Sequence, residues 1–234
     1  MDIQYAWLIW SLLLVGIWLV VYIFLNDKEK RKEMLIVSLL TSLTGLTEPL
    51  FVPVYWNPPS LFNLAALMGF DIESLIFSFA AGGIVVIIYE LIFRTAHEKM
   101  EVSSHHATPH RYHLWAILSM PIIFFILLFF TKLNPIYISV ISLIVGGLAT
   151  WYCRPDLKNK MVTSAFLFLG LYFFYFLTLI IMFPGYVQQV WNLQVVSGIL
   201  VVGIPLEELL YAFSFGFMWS SIYEHFTWRK FKNT

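Results

Sequence analysis

The sequence predicts an all-α integral membrane protein with seven transmembrane helices, built as two parallel three-helix repeats joined by a linking helix. Three observations carry this prediction. First, 234 residues that are 60% hydrophobic, 18% aromatic and only 12% charged hold too little polar surface to coat a soluble globule. Uncharged runs long enough to cross a hydrocarbon core, roughly 20 helical residues, begin near Ile3, Met34, Ile72, Leu114, Leu133, Met161 and Leu206. Second, threading the chain through seven spans leaves all 14 Lys and Arg residues except Lys132 on one side. Short basic loops stay in the cytoplasm, so the N-terminus is placed outside and the C-terminus in the cytoplasm of a plasma-membrane protein. Third, Gly69–Glu90 slides onto Gly203–Glu224 without a gap and matches Gly69/Gly203, Glu73/Glu207, Leu75/Leu209, Phe79/Phe213, Gly82/Gly216, Ile88/Ile222, Tyr89/Tyr223 and Glu90/Glu224.

Taken in order, residues 1–93 form the first repeat. Its first span, Ile3–Leu25, is apolar on every face, lacks a basic leader and is too long for a signal-peptide core. The run from Asp27 to Glu33 closes it as a solvated turn. The second span starts at Met34 and reaches about Pro53, which puts Glu48 at membrane depth beside the helix-disturbing Pro49 and Pro53. Tyr55-Trp56-Asn57-Pro58 reads as an outer turn. Asp71 is suited to cap the third span, with Glu73 in its first turn.

Residues 94–132 hold a polar loop and the linking helix. The loop carries five of the six histidines, His97, His105, His106, His110 and His113. Their spacing fits no metal-ligand pattern and offers no cysteine partner, so no metal is expected. The single Cys153 excludes a disulfide within the chain and reads as a reduced thiol.

Residues 133–234 form the second repeat. Asn134-Pro135 open the fifth span, Arg154-Pro155-Asp156-Leu157 turn the chain on the cytoplasmic side, and Met161 to about Phe183 make the sixth. Trp191-Asn192 echo Trp56-Asn57 at a shift of 135, and Pro205 opens a seventh span ending near Glu224. An odd linker makes the halves parallel. Glu73 and Glu207 then reach the same outer depth, and Glu90 and Glu224 the inner rim, where Arg94 and Arg229-Lys230 are their expected partners.

Five of 14 acidic residues, Glu48, Asp71, Glu73, Glu207 and Glu208, therefore gather in the outer half of the membrane. Acidic groups at membrane depth are candidates for function. Crowded carboxyls in low dielectric cannot all ionise, so some hold protons while others act as bases. Which one keeps the proton stays open, because the dipole at a helix start favours ionisation of Glu73 and Glu207. Capping accounts for one carboxylate per helix and leaves Glu48 and Glu208 over. Tyr211 lies three residues after Glu208 and can meet it. Aromatic faces around such acids suit chemistry through carbocations.

These residues resemble the membrane-bound lycopene cyclases of the heterodimeric or fused type found in actinobacteria, archaea and fungi. The second half carries the resemblance in Arg154-Pro155-Asp156-Leu157 with Lys160, Trp191-Asn192, Ile204-Pro205-Leu206-Glu207-Glu208 and Tyr223-Glu224. In the first half Trp56-Asn57-Pro58 and Glu48 are similar. There the motif reads Asp71-Ile72-Glu73-Ser74, which keeps the glutamate but replaces the family's leading proline and second acid. The resemblance implies a cofactor-independent, non-redox cyclisation of the linear ends of lycopene or a related carotenoid. It implies acid–base work by Glu207, Glu208 and Glu73 supported by Glu48 and Asp71. It also implies a substrate site involving Pro205, Tyr211, Trp56, Asn57, Trp191 and Asn192. Its partners would be a carotenoid and the lipid bilayer, with no nucleic acid.

The alternative is a non-catalytic polyene-binding membrane protein. No lysine lies between Leu206 and Tyr223 to form a retinal Schiff base there. A magnesium-dependent prenyltransferase would require Asp-rich diphosphate sites, and no Gly-x-Gly-x-x-Gly supports a dinucleotide enzyme.

Overall fold

The structure is a computed structural model that describes residues 3–101 and 108–232. His105 and His106 lie outside the described residues. The described residues are mostly helical, in the order α1 (Ala6–Phe24), α2 (Lys28–Ser42), α3 (Leu64–Met68), α4 (Ile72–Phe93), α5 (His113–Phe130), α6 (Pro135–Cys153), α7 (Lys158–Met182), α8 (Tyr186–Val190), α9 (Leu206–Trp219) and α10 (Ile222–Thr227). Short strands β1 (His97–Lys99), β2 (Leu200–Val201), β3 (Ile204–Pro205) and β4 (Arg229–Phe231) form two antiparallel pairs, β1 with β4 and β2 with β3.

Among the described residues, five helices are long and apolar enough to cross a membrane: Ile3–Phe24, Ile72–Phe93, His110–Phe130, Pro135–Cys153 and Pro155–Met182. They coincide with the first, third, fourth, fifth and sixth expected spans. The other two expected spans are not continuous α-helices, and each has a local cause. After α2 the chain tightens into a 3-10 helix over Leu43–Leu50. Pro49 cannot donate a backbone hydrogen bond, and the Thr44 and Thr47 hydroxyls donate to the carbonyls three residues back at 2.7 Å. At the other end α9 stops at Trp219, and Ser221 donates its hydroxyl to the Met218 carbonyl at 3.1 Å before α10 begins. The expected run of one helix from Glu207 to Glu224 is thereby corrected.

Cα packing divides the chain into two compact units. The first comprises Met1–Ile84, Asn134–Ile136 and Gly170–Leu209, and the second Val85–Leu133, Tyr137–Leu169 and Leu210–Thr234.

In the first unit, glycine sets how closely helices approach. A Cβ on Gly82 would lie 2.1 Å from Thr41 Oγ1, and one on Gly83 would lie 2.1 Å from Ser38 Oγ and 2.3 Å from Trp18 Nε1. The Trp18 indole in turn donates to Ser38 at 2.9 Å, tying α1 to α2 where α4 crosses. Small residues allow this contact without any gap for lipid. Gly69 and Gly203 both take positive φ, 83° and 84°, just before α4 and α9. That left-handed turn is available to glycine at little cost.

In the second unit the organising feature is a buried charge network. Lys160 Nζ donates to Glu90 Oε1 at 2.9 Å and to Glu224 Oε1. His97 Nε2 lies 2.9 Å from the same Glu224 oxygen and 3.2 Å from Glu90 Oε1. Lys160, Glu90 and Glu224 are each no more than 1% exposed. The partners expected for the two glutamates, Arg94 and Arg229-Lys230, are therefore replaced by Lys160 and His97, while Arg229 sits over the Tyr223 ring. Arg154, fully buried, grips Asp156 through two hydrogen bonds of 2.9 and 2.7 Å and donates to the carbonyls of Glu224 and Arg229. Arg154-Pro155-Asp156 is thus a clamp on the start of α10 and on β4. The loop expected to be merely polar contributes β1, in which His97 pairs with Phe231 and Lys99 with Arg229.

Burial opposes charge on His97, but hydrogen bonds and the charges of Glu224 and Glu90 outweigh it and push its pKa up from 6.5 to about 10. A folded pKa raised above the unfolded one gives stability that is complete below about pH 6.5 and lost as pH rises towards about 10. Unfolding midpoints in detergent are expected to fall across that window, with His97→Ala flattening the profile. Lys160→Met, which strands two buried carboxylates, should cost about 3–5 kcal/mol in the same assay.

Candidate functional site

All five carboxyls singled out by the sequence lie in the first unit and are buried, with exposures of 4% for Glu48, 0% for Asp71, 1% for Glu73, 1% for Glu207 and 8% for Glu208. They fall into two arrangements with different chemistry.

The first surrounds the start of α4. Asp71 caps the helix, its Oδ1 accepting from the Ser74 amide at 2.6 Å. Glu48, carried by the 3-10 helix, accepts from the Asp71 amide through Oε2 at 2.8 Å. Glu73 Oε1 accepts from the Leu61 amide at 2.7 Å. Each of these groups therefore spends one oxygen on a backbone N–H. The others, Glu48 Oε1, Asp71 Oδ2 and Glu73 Oε2, have no hydrogen-bond partner among the described residues. A buried carboxylate oxygen left without a donor is costly to keep charged, whereas the same oxygen bearing a proton is itself a donor. Burial, then Asp71 and Glu73, push the pKa of the neighbouring Tyr186 hydroxyl up. That phenol, 1% exposed, also has no hydrogen-bond partner among the described residues.

The second arrangement is at the start of α9. Glu207 Oε1 accepts from the Ser197 amide at 2.9 Å, as Glu73 does from Leu61. Glu208 accepts three side-chain hydrogen bonds: Oε1 from the Tyr55 hydroxyl at 2.8 Å and the Trp191 indole at 2.9 Å, and Oε2 from the Tyr172 hydroxyl at 2.6 Å. An ionised carboxylate only accepts, so three converging donors suit the charged form. Two neighbouring glutamates on one helix turn are in this way given different partners, in keeping with the angle of about 100° between them.

Aromatic rings pack around these groups. Trp10 stacks on Tyr175 at 4.4 Å and is locked there by two hydrogen bonds, its indole donating to the Tyr175 carbonyl and the Tyr175 hydroxyl donating to the Trp10 carbonyl. Phe77 lies 5.8 Å from Trp10 and 6.4 Å from Tyr172, and Trp7 lies 4.8 Å from Trp56. Trp56 and Trp191 face each other across an antiparallel backbone bridge, with ring centroids 5.4 Å apart.

Of the expected substrate-contacting residues, Trp191 meets a carboxylate directly and Trp56 packs against it. Asn57 and Asn192 have exposed side chains, and their backbone amides hold the bridge by donating to the carbonyls of Val190 and Tyr55. Pro205 is buried in β3 opposite Leu200. Tyr211 stacks on Phe215 at 5.8 Å within the second unit. Sequence reasoning missed Tyr55 and Tyr172, which stand 153 and 36 positions from Glu208, and Tyr186. Their only signal was aromatic content near acidic residues.

Compared with known families, residues 134–226 match the lycopene cyclase family model. The matched segment contains Arg154, Lys160, Trp191, Pro205, Glu207, Glu208 and Glu224, the half on which the sequence resemblance chiefly rests. No curated protein and no solved structure matches the chain.

Tyr172→Phe removes one of three donors from Glu208 while keeping the ring. It should lower stability by about 1.5–3 kcal/mol, the scale of a hydrogen bond to a charged group. Detergent unfolding monitored by tryptophan fluorescence measures this, and Tyr22→Phe, which removes a hydroxyl without such a bond among the described residues, serves as the reference.

Proposed function

We propose that this chain cyclises the linear end groups of lycopene or a related carotenoid into ionone-type rings, without redox change and without a cofactor. The single observation that supports this most is the division of labour among buried carboxyls: Glu208 fully supplied with donors, and Glu48, Asp71 and Glu73 each with an oxygen that has none among the described residues. The lycopene cyclase match over residues 134–226 supplies the substrate class.

In this reading a protonated carboxyl donates its proton to the terminal carbon–carbon double bond of the polyene. The electron pair of that bond forms the new C–H bond and leaves a tertiary cation. The neighbouring alkene closes on the cation, forming the ring bond and moving the positive charge into the ring. A carboxylate then removes a ring proton, and the C–H electron pair becomes the new double bond. One proton enters and one leaves, so the product is an isomer of the substrate. Glu208 takes the role of base and counter-charge, and Glu73 and Glu207, in equivalent positions of the repeat, are the acids. Asp71 and Glu48 hold Glu73 and the helix start in place. Rings of Trp7, Trp10, Phe77, Tyr172 and Tyr175 stabilise the cation through their faces and keep water from quenching it.

The same reading takes the chain as two repeats, 1–93 and 133–234, with 94–132 between them. Left-handed Gly69 and Gly203, the matched amide bonds of Glu73 and Glu207, and the Trp56–Trp191 bridge support it. The α2 helix with its 3-10 extension is about 38 Å long, enough for a further crossing. The one-sided distribution of basic residues supports an N-terminus outside a plasma membrane.

Expression in a bacterium that accumulates lycopene tests the proposal, with pigments separated by chromatography. The native chain should yield a cyclic carotenoid. Glu208→Gln should reduce it by about 10²-fold or more, the scale of general acid–base catalysis. Glu73→Gln and Glu207→Gln should each lower it, and the larger loss identifies the principal acid. Unchanged lycopene from abundant, membrane-inserted native protein would sink the assignment.

A further inference from the structure

The second unit holds a cluster that the proposed chemistry does not use. Two imidazoles converge on the only thiol of the chain: His113 Nδ1 lies 3.4 Å and His110 Nδ1 3.7 Å from Cys153 Sγ. The spacing of the histidines in sequence hides this, because the sulfur arrives from the last residue of α6, 40 positions beyond His113. The expectation that these histidines have no cysteine partner is corrected by that placement.

We propose that His110, His113 and Cys153 bind a thiophilic d10 cation, Zn²⁺ or Cu⁺, in a site separate from the carboxyl cluster. The three ligand atoms lie within 4.8 Å of one another. An ion with metal–sulfur and metal–nitrogen bonds of about 2.3 and 2.0–2.1 Å in tetrahedral geometry holds its S and N ligands about 3.5 Å apart. The two observed separations bracket that value. A hydrogen-bonded thiol has no comparable need for a second imidazole, since one S–H serves one acceptor. Soft thiolate with imidazole selects zinc and cuprous ions over hard cations such as magnesium or calcium.

The surroundings match those of a built metal site. The indole of Trp228 stacks on His113 at 3.9 Å and lies edge-on to His110 at 5.2 Å, orienting both rings and covering them. His225, 3% exposed, packs edge-on to His113 at 4.5 Å, and its Nε2 has no hydrogen-bond partner among the described residues. Arg154, next in sequence to the thiol, has its charge matched by Asp156. Bound metal would staple the segment ahead of α5 to the end of α6, adding binding energy to the folded state.

The chain contains one cysteine, so a thiolate-to-metal charge-transfer band identifies Cys153 without recourse to a variant. The full chain, purified in detergent under reductant and without a polyhistidine tag, is titrated with Co²⁺ as a spectroscopic stand-in. One equivalent should produce the thiolate band, and Zn²⁺ should bleach it. Cys153→Ser should lose the band and weaken Zn²⁺ binding by more than the roughly 10–100-fold typical of losing an outer-shell partner. His105→Ala/His106→Ala should retain both. Competition with a Cu⁺ chelator shows which of the two d10 ions the site prefers. A native chain that gives no thiolate band, or that binds Zn²⁺ equally well after Cys153→Ser, overturns the proposal.

Discussion

Glu208 is 8% exposed and cannot draw on solvent, so its carboxylate must be satisfied from within the chain. Three donors meet that need, from the turn after the 3-10 helix (Tyr55), the body of α7 (Tyr172) and the residue after α8 (Trp191). Each donor is itself fixed: Trp191 by its backbone bridge to Trp56, Tyr172 by rings of Trp10 and Phe77, and Tyr55 by the Asn192 amide on its carbonyl. A single buried carboxyl group thereby determines how elements distant in sequence are held in the first unit. Replacing that carboxyl with an apolar group would remove the reason for the phenols and the indole to converge.

The second unit applies the same rule with cations. Lys160 and His97 both reach Oε1 of Glu90 and of Glu224, and Arg154 pairs with Asp156 while donating to the carbonyls of Glu224 and Arg229. Buried ion networks of this kind contribute little net stability against an apolar alternative but cost several kcal/mol when one partner is removed. They are therefore better understood as fixing position. The contrast between the units is chemical: in the second, Glu90 and Glu224 are neutralised by cations, while in the first the donors that reach the carboxyls are amides, phenols and an indole. The proposed acid–base role of the first-unit carboxyls rests on this contrast.

Much of this architecture was legible in the chain. Hydropathy and length marked five long helices to within a few residues, because a lipid-exposed helix must be apolar along its whole length and that pattern is local. The matched glycines were legible only as repeat positions, and the structure gives Gly69 and Gly203 left-handed turns and Gly82 a close helix contact. Asp71 as the cap of α4 followed from residue type and position alone. Pro49 gave warning of irregularity near Glu48, although the 3-10 geometry depended on the added pull of Thr44 and Thr47 on the carbonyls behind them.

What the sequence by itself determined is the set of groups that had to be reconciled: apolar spans, acids set within or beside them, one thiol and six histidines. Only the tertiary structure decided who meets whom. Tyr172 rather than any other tyrosine reaches Glu208, Lys160 rather than Arg94 reaches Glu90, and Cys153 rather than a loop residue reaches His113. The physical reason is that hydrophobic burial is non-directional and can be read from local pattern, whereas hydrogen bonds and charge pairs act over about 3 Å and depend on which helix faces are brought together.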